Sequence, residues 1–406
     1  MHRAYLDHNA TSPLRPEVRA RLDELHGEAL GNPSSLHASG RRARFLLDEA
    51  RERVAAALGA HEDEIVFTSG GTEANGLALF GALQARGPRA GLVTTTAEHS
   101  SVLEPAARLA DDGRPVARVP VDAACLPDLD ALAEACAAPD CALVSLAAAN
   151  NEVGSVPDLG AVARAVRNAR RNADAPLLHL DAAQALGRLP VDLARWPADL
   201  AGFSAHKLGG PPGVGVLYKR KGVTLEPRQL GGGQEGGLRA GTENVPAVAA
   251  AALAIELAVR EQVDLAERWT ALAASLWGQV ESTLPGCRLL GPPLGSERRL
   301  PNTLNVLLPG TDGKVLVTQL DLEGLEASAG SACASGSNEP SHVLRAMGLD
   351  EDAARSGLRM SFGWSTSERD VARAVEILQK IFSGRAQGEC SAEDRAQPGK
   401  RLLNRR

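Results

Sequence analysis

A lysine and an aspartate follow two apolar, strand-like segments of this chain. Lys207 ends the segment Gly202–Lys207, and Asp181 ends the apolar segment Leu177–Asp181. An amine forms a Schiff base with an aldehyde, and a carboxylate holds a pyridine nitrogen in its protonated form. The two side chains together predict a pyridoxal phosphate site, in which the protonated ring accepts electrons. The alternative for Asp181 is a helix N-cap, which is common after a strand.

A glycine-containing segment is a candidate for binding the phosphate. Phe67–Ala74 follows a predicted strand, opens a predicted helix and contains Gly71 and Thr72. Glycine lets the backbone approach an anion, and the N–H groups at a helix N-terminus bind it. The alternative is a glycine turn in which Thr72 caps the helix. The segment matches neither a dinucleotide motif nor a P-loop, so a nucleotide is the weaker candidate ligand.

Three further groups are candidates for the same site. His99 and Asn151 each follow a strand-like segment, where they would contact the cofactor ring; the alternatives are a structural histidine and a turn asparagine. The glycine-rich segment Gly231–Thr242 carries Arg239 and Thr242, which would reach a phosphate, across a subunit interface in one interpretation. The alternative is a loop whose glycines serve flexibility.

The positions of these residues matter more than any one of them. We expect Thr72, His99, Asn151, Asp181 and Lys207 to lie at the carboxyl ends of strands. In a parallel α/β sheet those ends share one crevice, where ligands bind. The sequence therefore predicts a single site built from five separate segments.

The composition limits the class of protein. The chain has 406 residues, which favours two domains over one. Apolar residues make up 44% and charged residues 23%, as in soluble globular proteins, and the net charge of −6 argues against a nucleic-acid or anionic-membrane binder. The six cysteines show no CxxC pair and no zinc-like spacing, and the N-terminus has no apolar signal core. We expect a cytoplasmic protein without disulfides or a metal.

Short apolar segments alternate with helical patterns, which predicts an α/β fold with a mainly parallel sheet. Helices are predicted at Glu73–Arg86, Asp158–Asn172 and Val245–Glu261. We expect a large cofactor-binding domain at 15–261, a small domain at 1–14 and 262–382, and a mobile tail at 383–406. The predicted strands are Glu64–Thr68, Gly91–Thr95, Pro115–Val119, Ala142–Ala147, Pro176–Asp181, Leu200–Ser204 and Gly213–Tyr218.

The sequence resembles the cysteine desulfurases of the class-V aminotransferase family of pyridoxal phosphate enzymes. The likeness extends from residue 5 to about residue 375. The long form of the segment after Cys333, through Glu339–Arg345, resembles the desulfurases of general iron–sulfur and thiolation pathways. The matching segments are Tyr5–Thr11, Gly31–Ser35, Phe67–Glu73, Glu98–His99, Asn150–Gly154, His179–Gln184, Ser204–Lys207, Gly231–Thr242 and Ser328–Ser335.

The resemblance implies an aminotransferase-type (fold type I) homodimer, with a large, mainly parallel-sheet domain and a smaller α+β domain. Lys207 would bind the cofactor covalently, Asp181 would hold its ring nitrogen and His99 would stack on the ring. Arg359, together with Asn151, would bind the substrate, and a guanidinium suits a carboxylate. The alternative for Arg359 is a surface or interface arginine. The implied cofactor-binding residues are Gly71, Thr72, Asn151, Asp181, Gln184, Ser204, His206, Lys207 and, from the second subunit, Thr242.

Cys333 selects the reaction among those that this cofactor serves. It lies in Ala327–Asn338, a segment of small residues that we expect to be exposed and mobile. Its thiolate would attack the sulfur of L-cysteine and keep it as a persulfide, while Lys207 and His99 move protons and alanine leaves. The sulfur would pass to an acceptor, such as a scaffold for iron–sulfur assembly. The alternative for Cys333 is an incidental loop thiol.

Two other functions remain open from the sequence. One is another pyridoxal phosphate reaction on the same fold, such as a selenocysteine lyase, another lyase or an aminotransferase, for which Cys333 is dispensable. The second is a non-catalytic assembly partner, which predicts the loss of Lys207, Asp181 or Cys333. All three residues are present, and this disfavours the second alternative.

Overall fold

The computed structural model describes residues 2–169, 175–330 and 339–395, with side chains to residue 383. The helices of these ranges are α1 Pro16–Gly27, α2 Ala38–Leu58, α3 Gly71–Ala85, α4 Ser100–Asp111, α5 Leu129–Ala137, α6 Leu159–Asn168, α7 Val245–Arg260, α8 Gln262–Thr283, α9 Gly313–Glu323, α10 His342–Ala346, α11 Glu351–Arg355 and α12 Glu368–Arg395. The strands are β1 Ala4–Tyr5, β2 Ile65–Thr68, β3 Gly91–Thr95, β4 Val116–Val119, β5 Cys141–Ala147, β6 Leu177–Asp181, β7 Leu200–Ser204, β8 Gly215–Lys219, β9 Arg288–Leu289, β10 Thr303–Leu307, β11 Leu325–Glu326 and β12 Gly357–Ser361.

The larger sheet has the strand order β2-β8-β7-β6-β5-β3-β4. Its pairs are parallel except where β8 runs against β7 and β2. The connection from β7 to β8 contains only the short 3₁₀ turn Ala205–Leu208, which is too short for the crossover that a parallel pair needs. The predicted α/β fold with a mainly parallel sheet is confirmed, and Lys207 lies in this reversed connection.

Helices cover both faces of this sheet. Phe67 and Leu180 belong to one buried cluster, which includes residues of α2, α6 and α7. Val66 and Leu143 belong to another, which includes residues of α3 and α4. Alternate strand residues point to opposite faces, so two cores form from strands that are apolar along their length. The sheet is therefore held rigidly between two layers, and its strand ends keep fixed positions.

A second region pairs the chain's beginning with its last third. Strands β9, β10 and β12 form an antiparallel sheet in the order β12-β10-β9, and β1 pairs with β11 in parallel. Ala4 and Leu6 share a buried cluster with Trp269, Phe362 and residues of α12. The N-terminal arm, residues 2–14, thereby contacts both the β12-β10-β9 sheet, through Asn9 and Thr303, and the larger sheet, through Asn9 and Lys207. The exact domain boundaries stay a prediction.

The element boundaries follow the sequence pattern closely. Every predicted strand is present within two residues of its expected limits. The helix expected at Asp158–Asn172 ends at Asn168, and residues 170–174 lie outside the described ranges. Helix α12 continues beyond Phe382 to Arg395, so the first part of the expected tail is helical; residues 396–406 are not described. Among the described residues, no helix is both long and apolar enough to span a bilayer.

Gly215 allows strand β8 to pass close to the turn that opens helix α3. Gly215 pairs with Thr68 at the end of β2, and a Cβ atom at this position would lie 2.4 Å from the carbonyl carbon of Gly70. Both sides of this contact are backbone, which has no rotamer by which to move away. The absence of a side chain at Gly215 therefore allows the turn before α3 to pack directly against β8.

We expect Gly215→Ala to lower the free energy of unfolding by about 1–3 kcal/mol, because overpacking forces the backbone to shift. Urea denaturation measures the loss. Gly278→Ala is the matched control: Gly278 is exposed within α8 with open space at its Cβ position, and the change should stabilise by about 0.5–1 kcal/mol. Unchanged stability in Gly215→Ala would contradict the contact.

Candidate active site

The carboxyl ends of the parallel strands surround a cavity of about 370 Å³. The predicted residues that the structure describes line it, with two exceptions from the glycine-rich segment. Arg239 lies outside the cavity and donates to Glu73 at 3.0 Å, and Thr242 is exposed and outside the cavity of its own chain. Cys333 lies outside the described residues. The predicted residues that line the cavity are Gly71, Thr72, His99, Asn151, Asp181, Gln184, Ser204, His206, Lys207 and Arg359.

One end of the cavity is the N-terminus of helix α3. The helix begins at Gly71, Gly70 precedes it, and no side chain caps it. Thr72 is inside the helix, so the alternative that it serves as the N-cap is wrong. The first N–H groups of a helix have no partner within it and carry its positive dipole end. A Cβ at Gly71 would lie 3.4 Å from the Ser204 side chain, so the helix start lies beside Ser204 in the cavity wall.

His206 borders this end of the cavity as a neutral group. Its Nδ1 lies 3.0 Å from the Thr11 hydroxyl oxygen. Burial lowers the pKa of His206 to about 4, and the cations Lys207 and Arg188 add to the effect. A neutral imidazole beside a helix N-terminus can hydrogen-bond to a phosphate without adding a positive charge. The favourable charge interaction then comes from the positive end of the helix dipole.

Lys207 is held by the N-terminal arm. Its Nζ donates to the carbonyl oxygens of Asn9 and Ala10, the second at 2.7 Å. The Lys207 carbonyl accepts hydrogen bonds from the Ser12 hydroxyl and from Arg188. Hydrogen bonds at both the side-chain nitrogen and the backbone carbonyl therefore fix the position of Lys207. The Tyr5–Thr11 motif is recognisable in the sequence, whereas these contacts were not predicted from it.

Asp181 accepts two hydrogen bonds at the end of strand β6. The Ala183 N–H donates to Oδ1 at 3.1 Å, and the Asn75 side-chain amide donates to Oδ2 at 2.8 Å. The described residues between β6 and β7 form turns and no helix, so the alternative that Asp181 caps a helix is wrong, and Asp181 lines the cavity. Asn75 is 1% exposed and was missed, because an asparagine within a helical pattern looks like any other helix residue.

His99 serves both the helix and the cavity. Its Nδ1 accepts the Ser101 N–H as the N-cap of α4, while the ring lines the cavity. Burial lowers the pKa of His99, Lys207 and His342 lower it further, and Asp181 acts in the opposite direction. The structural and functional interpretations of His99 are therefore compatible.

The Gln184 amide lies near the arm as well. Its Nε2 donates to the Asn9 carbonyl at 3.0 Å, and its buried Oε1 has no hydrogen-bond partner among the described residues. An uncompensated buried polar atom is costly. Its position in the cavity wall fits a polar ligand, and its role as a cofactor-binding residue stays a prediction.

Arg359 is buried in the cavity wall, and the alternative that it is a surface arginine is wrong. It is 1% exposed and donates to an Asp7 carboxylate oxygen at 2.7 Å and to the Asn151 carbonyl at 3.2 Å. Its Nε has no partner within the described residues. Asp7 orients the guanidinium, while burial raises the pKa of Asp7 and Arg359 lowers it.

Two buried carboxyl groups lie beside the segment that carries Cys333. Glu152 accepts a hydrogen bond from the Ser341 hydroxyl, and a Cβ at Gly330 would lie 3.3 Å from its Oε2. His342 Nε2 is 2.8 Å from the Glu98 carbonyl oxygen. Gly330 and Ser341, which flank residues 331–338, therefore both lie against Glu152, the residue that follows Asn151 of the cavity wall. Neither glutamate was predicted as a site residue from the sequence.

Glu98 supplies a pH-dependent contribution to stability. Burial raises its pKa to about 8, whereas a carboxyl group in an unfolded chain titrates near pH ~4.3. Between these values the folded protein holds a proton that the unfolded chain has released. The free energy of unfolding therefore falls as pH rises through this window, by up to about 1.4 kcal/mol per pH unit.

We expect Glu98→Gln to remove this contribution, since an amide does not titrate. The stability of the variant relative to the parent should rise from about pH 5 to about pH 8. Urea denaturation at several pH values measures the difference. Parallel stability curves for the two proteins would contradict a protonated Glu98.

Comparison with known proteins agrees with this geometry. The model of the aminotransferase class-V family matches residues 4–374. The chain is 40% identical over 381 residues to the cysteine desulfurase IscS of Dictyoglomus turgidum, covering 93% of this chain and 94% of that protein. It is 41% identical over 383 residues to a cysteine desulfurase of Cereibacter sphaeroides, covering 94% and 96%.

Solved structures give the same result. A structure described as a NifS-like protein is 36% identical, with a TM-score of 0.86, and covers 94% of this chain and 99% of its own. A NifS-like protein from Rickettsia africae is 30% identical, with a TM-score of 0.83, and covers 94% and 100%. The resemblance stated from the sequence is confirmed, and the chain belongs to the class-V aminotransferase family.

Proposed function

We propose that this chain is a cysteine desulfurase, which converts L-cysteine to L-alanine and carries the released sulfur as a persulfide on Cys333. The observation that carries the proposal is one cavity that collects an amine, a carboxylate, a helix N-terminus and a buried arginine from distant segments. Relatives that match nearly the whole chain are named cysteine desulfurases, which favours this activity over a selenocysteine lyase or an aminotransferase.

Enzymes of this family use pyridoxal phosphate, and the cavity suits it. The N-terminus of α3, with Gly71 and Thr72, would hold the phosphate together with Ser204 and His206. Asp181 would hold the pyridine nitrogen, and Gln184 and Asn151 would face the ring oxygen. When bound, this group withdraws electrons from the substrate Cα and makes its proton acidic.

The protein's own groups move the protons. The Lys207 amine, which hydrogen-bonds to the carbonyls of Asn9 and Ala10, would accept the Cα proton. The Lys207 ammonium formed in this step would return its proton to carbon. His99 is the second titratable group of the cavity wall; burial favours its neutral form, in which it would assist the proton movement by donating a hydrogen bond.

Arg359 would bind the substrate carboxylate. Its guanidinium is oriented by Asp7, and its Nε still has an unsatisfied donor within the described residues. An unpaired buried donor gains a charge-assisted hydrogen bond when a carboxylate arrives. This contact would place the substrate Cα beside Lys207.

The sulfur transfer requires a nucleophile from outside the cavity wall. The Cys333 thiolate would attack the substrate sulfur; the Cβ–Sγ bond then breaks with its electron pair going to carbon, where a proton completes alanine. The persulfide would next lose its outer sulfur to an acceptor protein or a reductant thiol. Contacts of Glu152 with Ser341 and Gly330 keep the ends of this segment beside the cavity.

The assembly and the pathway are part of the same proposal. The enzyme would act as a homodimer in which Thr242, exposed in its own chain, reaches the phosphate of the second subunit. Its acceptor would be a scaffold protein for iron–sulfur assembly or a thiolation partner, as the name IscS of one relative suggests. A cytoplasmic location and the domain limits 15–261, 1–14 and 262–382 are kept as predictions.

We expect Cys333→Ala to abolish the release of both alanine and sulfide from L-cysteine in the presence of a reductant, while the cofactor absorbance stays. The parent should form the two products in equal amounts. Cys287→Ala is the matched control, since Cys287 is a partly exposed cysteine outside the cavity, and its activity should be that of the parent. Product formation by Cys333→Ala would exclude a persulfide on this residue.

We expect Arg359→Lys to lower kcat/KM for L-cysteine by about 10- to 100-fold, mainly through KM, because an ammonium cannot reproduce the guanidinium geometry. Steady-state kinetics at saturating cofactor measure the change. Alanine produced at the parent's KM would show that another group binds the carboxylate.

A further inference from the structure

Asp181 and His99 are connected through two side chains that have no role in the function proposed above. Asn75 Nδ2 donates to Asp181 Oδ2 at 2.8 Å and to the Ser101 hydroxyl oxygen at 2.9 Å. The Ser101 oxygen lies 2.8 Å from His99 Nδ1. Asn75 comes from α3, Ser101 and His99 from the start of α4, and Asp181 from β6. Three elements therefore share one chain of hydrogen bonds.

The direction of each hydrogen bond follows from its donors. An ionised Asp181 only accepts, so the amide nitrogen of Asn75 must face it. The Ser101 backbone N–H points at His99 Nδ1 at 3.1 Å, so this ring nitrogen carries no proton. The Ser101 hydroxyl accepts from Asn75 and then has its own proton left to donate to His99 Nδ1.

We propose that Asn75 and Ser101 are positioning residues, which hold His99 neutral with its proton on Nε2 and couple its orientation to Asp181. The inference rests on the proposed function and deepens it. A neutral imidazole with its proton on Nε2 donates a hydrogen bond from that atom, and Nδ1 is committed to the helix start. His99 would therefore enter the reaction as a donor from a single atom and in a single ring orientation.

The burial of these hydrogen-bonded residues explains why Asn75 and Ser101 are needed to orient His99. Asn75 is 1% and Ser101 6% exposed, so water does not substitute for either partner. The charged or titratable groups that face His99 are Asp181, Lys207 and His342, and Asp181 favours the charged ring. The Ser101 hydroxyl can donate to His99 Nδ1 only when that nitrogen carries no proton, so it stabilises the neutral ring against the charged one.

The test follows the titration of His99 in the cofactor-loaded enzyme by NMR of ¹⁵N-labelled histidine. We expect Ser101→Ala to raise the midpoint of the His99 titration by on the order of one pH unit, since the neutral form loses a donor. Asn75→Ala should raise it as well. In the double variant the further effect of Asn75→Ala should be smaller, because it acts through Ser101.

Two controls separate positioning from general disturbance. Ser101→Thr keeps the hydroxyl and should keep the midpoint of the parent. Ser145→Ala removes a hydroxyl oxygen 2.8 Å from His179 Nδ1, outside the cavity, and should alter the His179 signals and leave those of His99. Absorbance of the bound cofactor confirms that each variant is folded and loaded.

The outcomes are distinct from those of the desulfurase assay. An unchanged His99 titration in Ser101→Ala, or fully additive shifts in the double variant, would contradict the positioning role of Asn75 and Ser101, even if the enzyme makes alanine. A raised midpoint in Ser101→Ala, with less than additive shifts in the double variant, would support this positioning role even if the substrate proved to be another amino acid.

Discussion

The hydrogen bonds of Asn9 are the constraint on which the site depends. Its carbonyl accepts from Lys207 Nζ and from Gln184, both from the larger sheet region. Its side-chain amide donates to the Asn151 carbonyl and to Thr303 of the smaller sheet, and its Oδ1 accepts from Asn302. Asn9 is 1% exposed, so each lost partner would leave a buried polar group unsatisfied. Asn9 thereby fixes the position of the Lys207 amine relative to both sheets.

Charge burial is the second feature that organises the molecule. Arg188 is fully buried behind Lys207 and donates to the carbonyls of Gln184, His8 and Lys207, and burial lowers its pKa to about 10. Backbone carbonyls satisfy its donors without neutralising it, so its field reaches His206. Buried charges of this kind are expensive, and they concentrate where a protein must set the ionisation of functional groups.

Sequence patterns predicted the elements and the principal site residues because both depend on local information. Apolar runs bounded by glycine and polar residues predict strands. A side chain directly after a parallel strand lies near the crevice that the carboxyl ends of the strands share. The antiparallel direction of β8 and the extension of α12 to Arg395 were not predicted. Strand direction depends on how a connection folds, and the last part of α12 has no apolar pattern that distinguishes it from a tail.

The sequence by itself determined the residue types at the strand ends, the glycines at the start of helix α3, and the likeness to the class-V aminotransferases. Only the tertiary structure decided the partners of those residues: Asn75 for Asp181, Asp7 for Arg359, and the arm carbonyls for Lys207. These pairs join positions separated by more than a hundred residues. Periodicity and spacing describe neighbours along the chain, whereas hydrogen bonds and burial depend on which distant segments the packing of the cores brings together.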